Sequence, residues 1–272
     1  MSAPRPGRSH ALVPALVAGS APAPSPAQAD GPVARWDAND GHVLHGFRAA
    51  GTGWVALEGV AAYGFGPSGP VTVVPADGGP PTEELEDAWV RSALPLVLQA
   101  RGTQVLHAAA LRGAAGAVAL CGASTDGKST LAAALLRRGR AVLADDALAL
   151  DESDALTLPF RLRLRAPTQE ALGLPPVAAT GAGGERLPLA AVVLLTPDDE
   201  DEPAALEALS ASTAFAELMP HAYCFALEEG KEALVAAYLD LVQRVPVHRL
   251  CYPQRLDRLD ATADVLDALL AR

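Results

Sequence analysis

The stretch that most limits what this chain can fold into is Gly122-Ala123-Ser124-Thr125-Asp126-Gly127-Lys128-Ser129-Thr130. It fits G-x-x-x-x-G-K-[ST], the phosphate-binding P-loop or Walker A motif. The apolar run Ala117-Val118-Ala119-Leu120-Cys121 leads in as a strand, and Leu131-Ala132-Ala133-Ala134-Leu135-Leu136 follows as a strong helix former that closes near Gly139. Strand, loop and helix in that order are the context the motif needs. The loop N–H groups and the helix N-terminus would cradle phosphates, where their partial positive charge is useful. Lys128 would reach the β- and γ-phosphates and the Ser129 hydroxyl would ligate Mg²⁺. Lys128 and Lys231 are the only lysines, so chance rarely supplies this match. As a loop residue Lys128 is expected to be exposed, with little packing to lose. Thr125 and Asp126 stand at middle positions where glycine or a small residue is more comfortable, and Asp126 adds negative charge near the phosphates.

The residues just before the motif narrow the fold further. Gln104-Val105-Leu106-His107-Ala108-Ala109-Ala110-Leu111 reads as a strand, and Arg112-Gly113-Ala114-Ala115-Gly116 turns the chain back into the P-loop strand. Two strands joined by so short a turn pair antiparallel. Common nucleotide-binding folds usually enter the P-loop strand from a parallel crossover, so this hairpin points elsewhere. After the P-loop helix, Arg140-Ala141-Val142-Leu143-Ala144-Asp145-Asp146 is an apolar strand that ends in two carboxylates and continues as Ala147-Leu148-Ala149-Leu150. A strand ending in Asp beside a P-loop suits metal binding, a Walker B role. Adjacent side chains on a strand face opposite ways, so the two need not do one job.

Phe160-Arg161-Leu162-Arg163-Leu164-Arg165 alternates strictly, which sets Arg161, Arg163 and Arg165 on one face. That face either binds an anion, nucleotide phosphate or a substrate carboxylate, or is simply solvated. Ala178 to Gly184 reads as a loop of small residues, and Leu189 to Leu195 as a buried strand. The acidic run Asp198-Asp199-Glu200-Asp201-Glu202 reads as a solvated loop rather than a metal cluster. Helical patterns near 204–218 and 227–243, a strand at Val247 to Tyr252 and a last helix near 260–271 complete an α/β body.

N-terminal to this body, residues 1–80 read as a small β-rich region and 81–272 as the P-loop domain. Short strands and turns run from Val33 to about Val74, and Trp36, Trp54 and Tyr63 read as core or hairpin residues there. Residues 1–8 read as disordered, and Ala21 to Ala29 as a loop. Pro81-Thr82-Glu83-Glu84 opens a helix, with Thr82 as its N-cap, that runs to about Ala100 with a kink or break at Pro95.

Composition sets the remaining bounds. With 272 residues, half of them hydrophobic, the chain can bury a substantial core. A net charge of −11 argues against a nucleic-acid partner. No apolar run is long enough to span a bilayer. The three cysteines, Cys121, Cys224 and Cys251, have neither metal spacing nor a paired framework, which suits a reducing cytoplasm. Arg5 and Arg8 before Ala11 to Ala18 resemble a signal peptide only superficially, because the apolar run is short and broken by Pro14.

Leu106-His107, the hairpin, the P-loop and Leu143-Ala144-Asp145-Asp146 together resemble the nucleotide-binding domain of HPr serine kinase/phosphorylases, over roughly residues 104–165. The small N-terminal β region looks more like the HPr-kinase-like proteins found with lasso-peptide biosynthesis, which phosphorylate a serine hydroxyl of a precursor peptide. The resemblance implies a mixed-sheet P-loop kinase domain of the HPr kinase/PEP carboxykinase-like type. It implies ATP and Mg²⁺ as cofactors and a precursor peptide as partner. Lys128 and Ser129 would hold phosphate and Mg²⁺, Asp145 looks like the general base, Asp146 the metal-side carboxylate, and His107 would sit near the transferred phosphoryl. Thr130 stands where bifunctional members tend to carry an acidic residue, and the later glycine-rich signature has no counterpart, which favours a one-way kinase. A kinase of a small hydroxyl compound and a non-catalytic nucleotide-binding scaffold stay open as alternatives, as does a homo-oligomer.

Overall fold

The computed structural model describes residues 12–37, 42–76, 82–198, 202–225 and 230–272. The expectations for Arg5, Arg8 and the first eight residues, for Pro81 and the capping side chain of Thr82, and for the middle of the acidic run lie outside what is described. The N-terminal strands form one sheet: β1 (Leu16–Ala18), β2 (Ala34–Asp37), β3 (Val43–Ala49), β4 (Thr52–Leu57), β5 (Ala61–Phe65) and β6 (Val71–Pro75). Their order is β1-β6-β5-β4-β3-β2, antiparallel throughout except that β1 joins β6 in parallel. In β4 the alternation of half-buried Trp54 and Ala56 with buried Val55 and Leu57 is what a sheet with one covered face produces.

A helical link follows. α1 (Thr82–Ala88) passes into a π-helical turn, Trp89–Ala93, and then into α2 (Leu94–Ala100). The kink or break expected at Pro95 is instead this wider turn, which ends two residues upstream. Pro95 lacks the N–H that an α-helical ladder would use, and the Leu94 N–H reaches back five residues to the Trp89 carbonyl. The helix therefore continues, with one turn re-aimed.

The body contains β7 (Gln104–Leu106), β8 (Ala108–Arg112), β9 (Ala117–Cys121), α3 (Lys128–Arg137), β10 (Val142–Ala144), β11 (Leu148–Asp151), β12 (Asp154–Leu156), β13 (Phe160–Arg163), α4 (Ala166–Leu172), β14 (Val177–Gly181), β15 (Arg186–Asp198), β16 (Ala205–Ala208), α5 (Ala211–Leu218), α6 (Lys231–Arg244), β17 (Val247–Pro253) and α7 (Leu259–Leu270). Nine of the strands make one mixed sheet. The β8–β9 hairpin is antiparallel, as its short turn requires, while β9 and β17 flank β15 in parallel. Thirteen residues long, β15 pairs with β12 at its start and with β9 and β17 further on, so one strand joins both ends of the sheet.

Alternate residues of the central strands feed two cores. Ala119 and Cys121 of β9 and Val192 and Leu194 of β15 pack against α5 and α6. Leu120, Val193 and Leu195 face the other way, against α3 and α7. A third core joins Val55, Tyr63 and Phe65 of the N-terminal sheet to Trp89, Leu94 and Val97 of the link and to Val105, Ala149 and Leu158 of the body. The molecule is thus a mixed α/β P-loop fold carrying an N-terminal β-sheet. Among the described residues no helix is long and apolar enough to cross a membrane.

Three local readings need correction. Residues 104–111 are two strands, because the chain bends at His107 and β7 and β8 take different neighbours. The small-residue run at 178 contains strand β14, which pairs with β13 while Ala178 and Ala179 pack on the second core. The pattern at 204–218 is a strand and then a helix. β16 pairs with β17, Glu207 meets Arg249 at 2.6 Å, and Ser210 caps α5 by accepting the Thr213 N–H.

Candidate functional site

β9 delivers the chain into the loop at Gly122, and α3 leaves it at Lys128. Gly127 has φ +83, which favours glycine, and a Cβ there would press on the Tyr252 hydroxyl at 3.0 Å. Thr125 is also left-handed, at φ +84, without being glycine. The loop is held in this shape from β17 and the residues after it: the Gln254 amide donates to the Thr125 carbonyl, and the Tyr252 hydroxyl to that of Asp126. Asp126 folds its carboxylate back to accept the Ala123 N–H. Its charge therefore sits within the loop and occupies one of the N–H groups that such loops offer to phosphate.

Lys128 is only 7% exposed, contrary to expectation. Its Nζ donates to the Gly122 and Ala123 carbonyls, both at 2.9 Å, and burial pulls its pKa down. The Ser129 hydroxyl donates to Asp145 Oδ1 at 2.9 Å. Thr130 meets Thr168 of α4 at 3.2 Å, which ties the P-loop helix to the segment after β13.

The two carboxylates do not continue a strand. β10 ends at Ala144, Asp146 takes φ +66, and the chain turns before β11. Asp145 is buried, 6% exposed; burial first, and then the neighbouring Asp146 charge, push its pKa up to about 7. Asp146 is more open and accepts from Arg91 Nε at 2.8 Å. Its carbonyl accepts the His107 Nδ1–H at 2.9 Å and the Tyr223 hydroxyl at 3.3 Å. A carbonyl can only accept, so Nδ1 carries the proton. Burial, and then the Lys128 charge, lower the His107 pKa, leaving a neutral ring with Nε2 unprotonated.

Two cavities meet at this point. One, of about 280 Å³, is lined by Ser124, Thr125, Gly127, Lys128, Ser129 and Thr130, and also by Arg163 and Arg165. The other, of about 480 Å³, runs from Gly122 and Ala123 toward Trp36, Leu44 and Leu96. Arg91, His107, Ser124 and Asp146 line both. Asp145 lines neither. A larger cavity of about 870 Å³, between α6 and the β11–β12 hairpin, shares no residue with them.

The arginine alternation holds, with Phe160, Leu162 and Leu164 buried, but the three arginines part company. Arg161 pairs with Glu83 at 2.7 Å, outside the P-loop cavity. Arg163 pairs with Asp87 at 2.9 Å and still lines that cavity, as does Arg165. Reading the residues in order missed Arg91, whose signal was nevertheless present: it is the lone charge between Asp87 and Arg101 in an apolar helical run. Trp36, read as a core or hairpin residue, walls the second cavity.

Among the described residues no three or more His, Cys, Asp or Glu gather as a metal cage. A magnesium ion brought in with phosphates needs only one or two protein carboxylates, and the Ser129 hydroxyl beside the Asp145 carboxylate is a hard-oxygen pair of the right kind.

No protein-family profile matches the chain, and no curated protein matches it by sequence. Among solved structures it is similar to the HPr(Ser) kinase/phosphatase from Coxiella burnetii, at 14% identity and a TM-score of 0.35 over 61% of this chain and 90% of that one. So slight a likeness assigns no residue and no reaction.

Proposed function

We propose that the protein is a Mg·ATP-dependent phosphotransferase that moves the γ-phosphoryl group to a serine hydroxyl of a peptide. A lasso-peptide precursor is the acceptor that the resemblance of the sequence implies. The observation that carries the reading is the meeting of two cavities at Asp146, one lined by the P-loop and the other open to an acceptor. Lys128 and the loop N–H groups bind the phosphates, with Arg163 and Arg165 facing them. Ser129 and Asp145 would hold the magnesium, which would screen charge on the phosphate oxygens.

This division of labour reverses the one the resemblance implies. A general base must reach the acceptor proton, and geometry comes before pKa in choosing it. Asp145 lines neither cavity and is bonded to Ser129, which suits the metal side. Asp146 lines both. The acceptor oxygen bonds to the γ-phosphorus as the bond to the β–γ bridging oxygen breaks, and its proton passes to Asp146. Arg91, already beside Asp146, is positioned to offset the developing negative charge, and His107 fixes the bend through the Asp146 carbonyl.

Calorimetric titration of Mg·ATP beside a mass-spectrometric assay of phosphopeptide tests the roles. Asp146→Asn should keep Mg·ATP affinity within a few-fold and lose about 10²-fold or more in turnover. Asp145→Asn should weaken the metal-dependent part of binding as well. The opposite pattern would restore the original assignment. One observation favours a second reading, a nucleotide-binding scaffold without turnover: Asp126 occupies a loop N–H. If Mg·ATP binds to the wild type and no phosphopeptide forms, that reading wins.

A further inference from the structure

The second cavity has a chemical character of its own. Its end at Asp146, Arg91 and His107 is polar, while Trp36, Leu44, Leu96 and Pro220 make an apolar wall beyond it, with Ser92 and His221 as polar residues beside that wall. Two of the wall residues, Trp36 and Leu44, come from the N-terminal sheet, where they pair across β2 and β3. The Trp36 ring leans over Gly46: a Cβ at Gly46 would lie 2.6 Å from it and 3.0 Å from the Phe225 ring on another side. Position 46 must therefore be glycine for Trp36 to lie where it does. The N-terminal sheet thus places a flat apolar surface across a cleft that leads to Asp146.

We infer that this cleft is the acceptor subsite and takes a peptide serine whose neighbouring residue is apolar or aromatic. The inference rests on the kinase reading above and specifies its substrate. An acceptor hydroxyl has to reach the phosphoryl group from outside the nucleotide cavity, and the cleft opens onto the four residues shared with that cavity. A sugar or polyol would lay several hydroxyl groups against Trp36, Leu44 and Leu96, where they lose the hydrogen bonds they make in water. A peptide instead can present one hydroxyl to Asp146 and lay the next side chain on Trp36. At 480 Å³ the cleft lies within the usual ligand-pocket range of roughly 300–1,000 Å³, more room than a lone serine fills.

The test uses the full chain and two blocked pentapeptides with a central serine, flanked by leucine in one and by glycine in the other, with benzyl alcohol as a small apolar acceptor. The leucine peptide should be phosphorylated with a kcat/KM about ten-fold above the glycine peptide, and benzyl alcohol poorly. Trp36→Ala should bring the two peptides within about two-fold of each other, and Trp36→Phe should retain the preference. Melting temperature and Mg·ATP affinity serve as controls for folding. Cys224→Glu, a change at another residue lining the cleft, should turn the preference toward a lysine-flanked peptide. Equal rates for both peptides, a preference untouched by Trp36→Ala, or benzyl alcohol serving as well as the leucine peptide would each overturn the inference. If Mg·ATP binds and no peptide is phosphorylated, the subsite falls while nucleotide binding stands. If Mg·ATP does not bind, both readings fall.

Discussion

Asp145 carries a consequence that can be read without any acceptor. Burial pushes its carboxyl pKa up to about 7 in the fold, against about 3.9 in an unfolded chain. Between those values the folded form binds more protons, so this group makes the protein less stable as pH rises from about 4 to 7, with no further change above that. Chemical unfolding of the metal-free protein should therefore show a loss between pH 5 and 7 that shrinks in Asp145→Asn. Magnesium favours the ionised carboxylate, so the Mg²⁺-dependent part of nucleotide affinity should strengthen from pH 6 to 8 in the wild type and stay flat in the variant. An identical pH profile for the two proteins would remove Asp145 from the metal side. At this scale the motif residues were legible because a P-loop is defined by spacing. The burial of Lys128 was not, since it follows from carbonyls that the loop itself folds around Nζ.

Among the elements, the π turn at Trp89–Ala93 is the one whose geometry serves the site. It carries Arg91, which bonds Asp146 and also approaches Asp87, one turn back, at 3.7 Å. Pro95→Ala would give the helix back a donor and allow the wide turn to relax to ordinary α-helical spacing. Arg91 would then rotate away from Asp146. The expected outcome is a melting temperature equal to or above wild type with turnover lowered by about ten-fold or more, measured on the same preparation. A variant that is more stable and fully active would separate the turn from catalysis. Proline announced an irregularity in the sequence, but whether a helix kinks, breaks or widens depends on packing around Trp89 and Leu94, which no local pattern contains. The same reason hid β14 and β16, which are strands because β13 and β17 offer them edges. The β8–β9 hairpin was legible because its turn leaves one pairing open.

Over the whole molecule, the N-terminal sheet and the P-loop body are joined by the third core rather than by a tether. A fragment starting at residue 81 would uncover Trp89, Leu94, Val97 and Val105 together. Each large apolar side chain loses about 2 kcal/mol on exposure, against a total stability of roughly 5–15 kcal/mol for a domain. That fragment should lose its cooperative thermal transition and its near-ultraviolet dichroism. A sharp transition near that of the full chain would mean the body stands alone. The sequence announced both parts, and it withheld their shared interior because each contributes ordinary strand and helix residues to it.

The parallel neighbours of the P-loop strand have a consequence for the order in which the protein can be made. β9 is paired early with β8, but its other side waits for β15, whose matching residues lie about seventy positions downstream, and β15 in turn waits for β17. A ribosome releases the phosphate-binding loop long before the strands that brace it. The loop's own fasteners, Tyr252 and Gln254, emerge later still. A nascent chain halted after α3 should therefore have no grip on ATP, and nucleotide capture during synthesis should begin only once the last strand has cleared the exit tunnel.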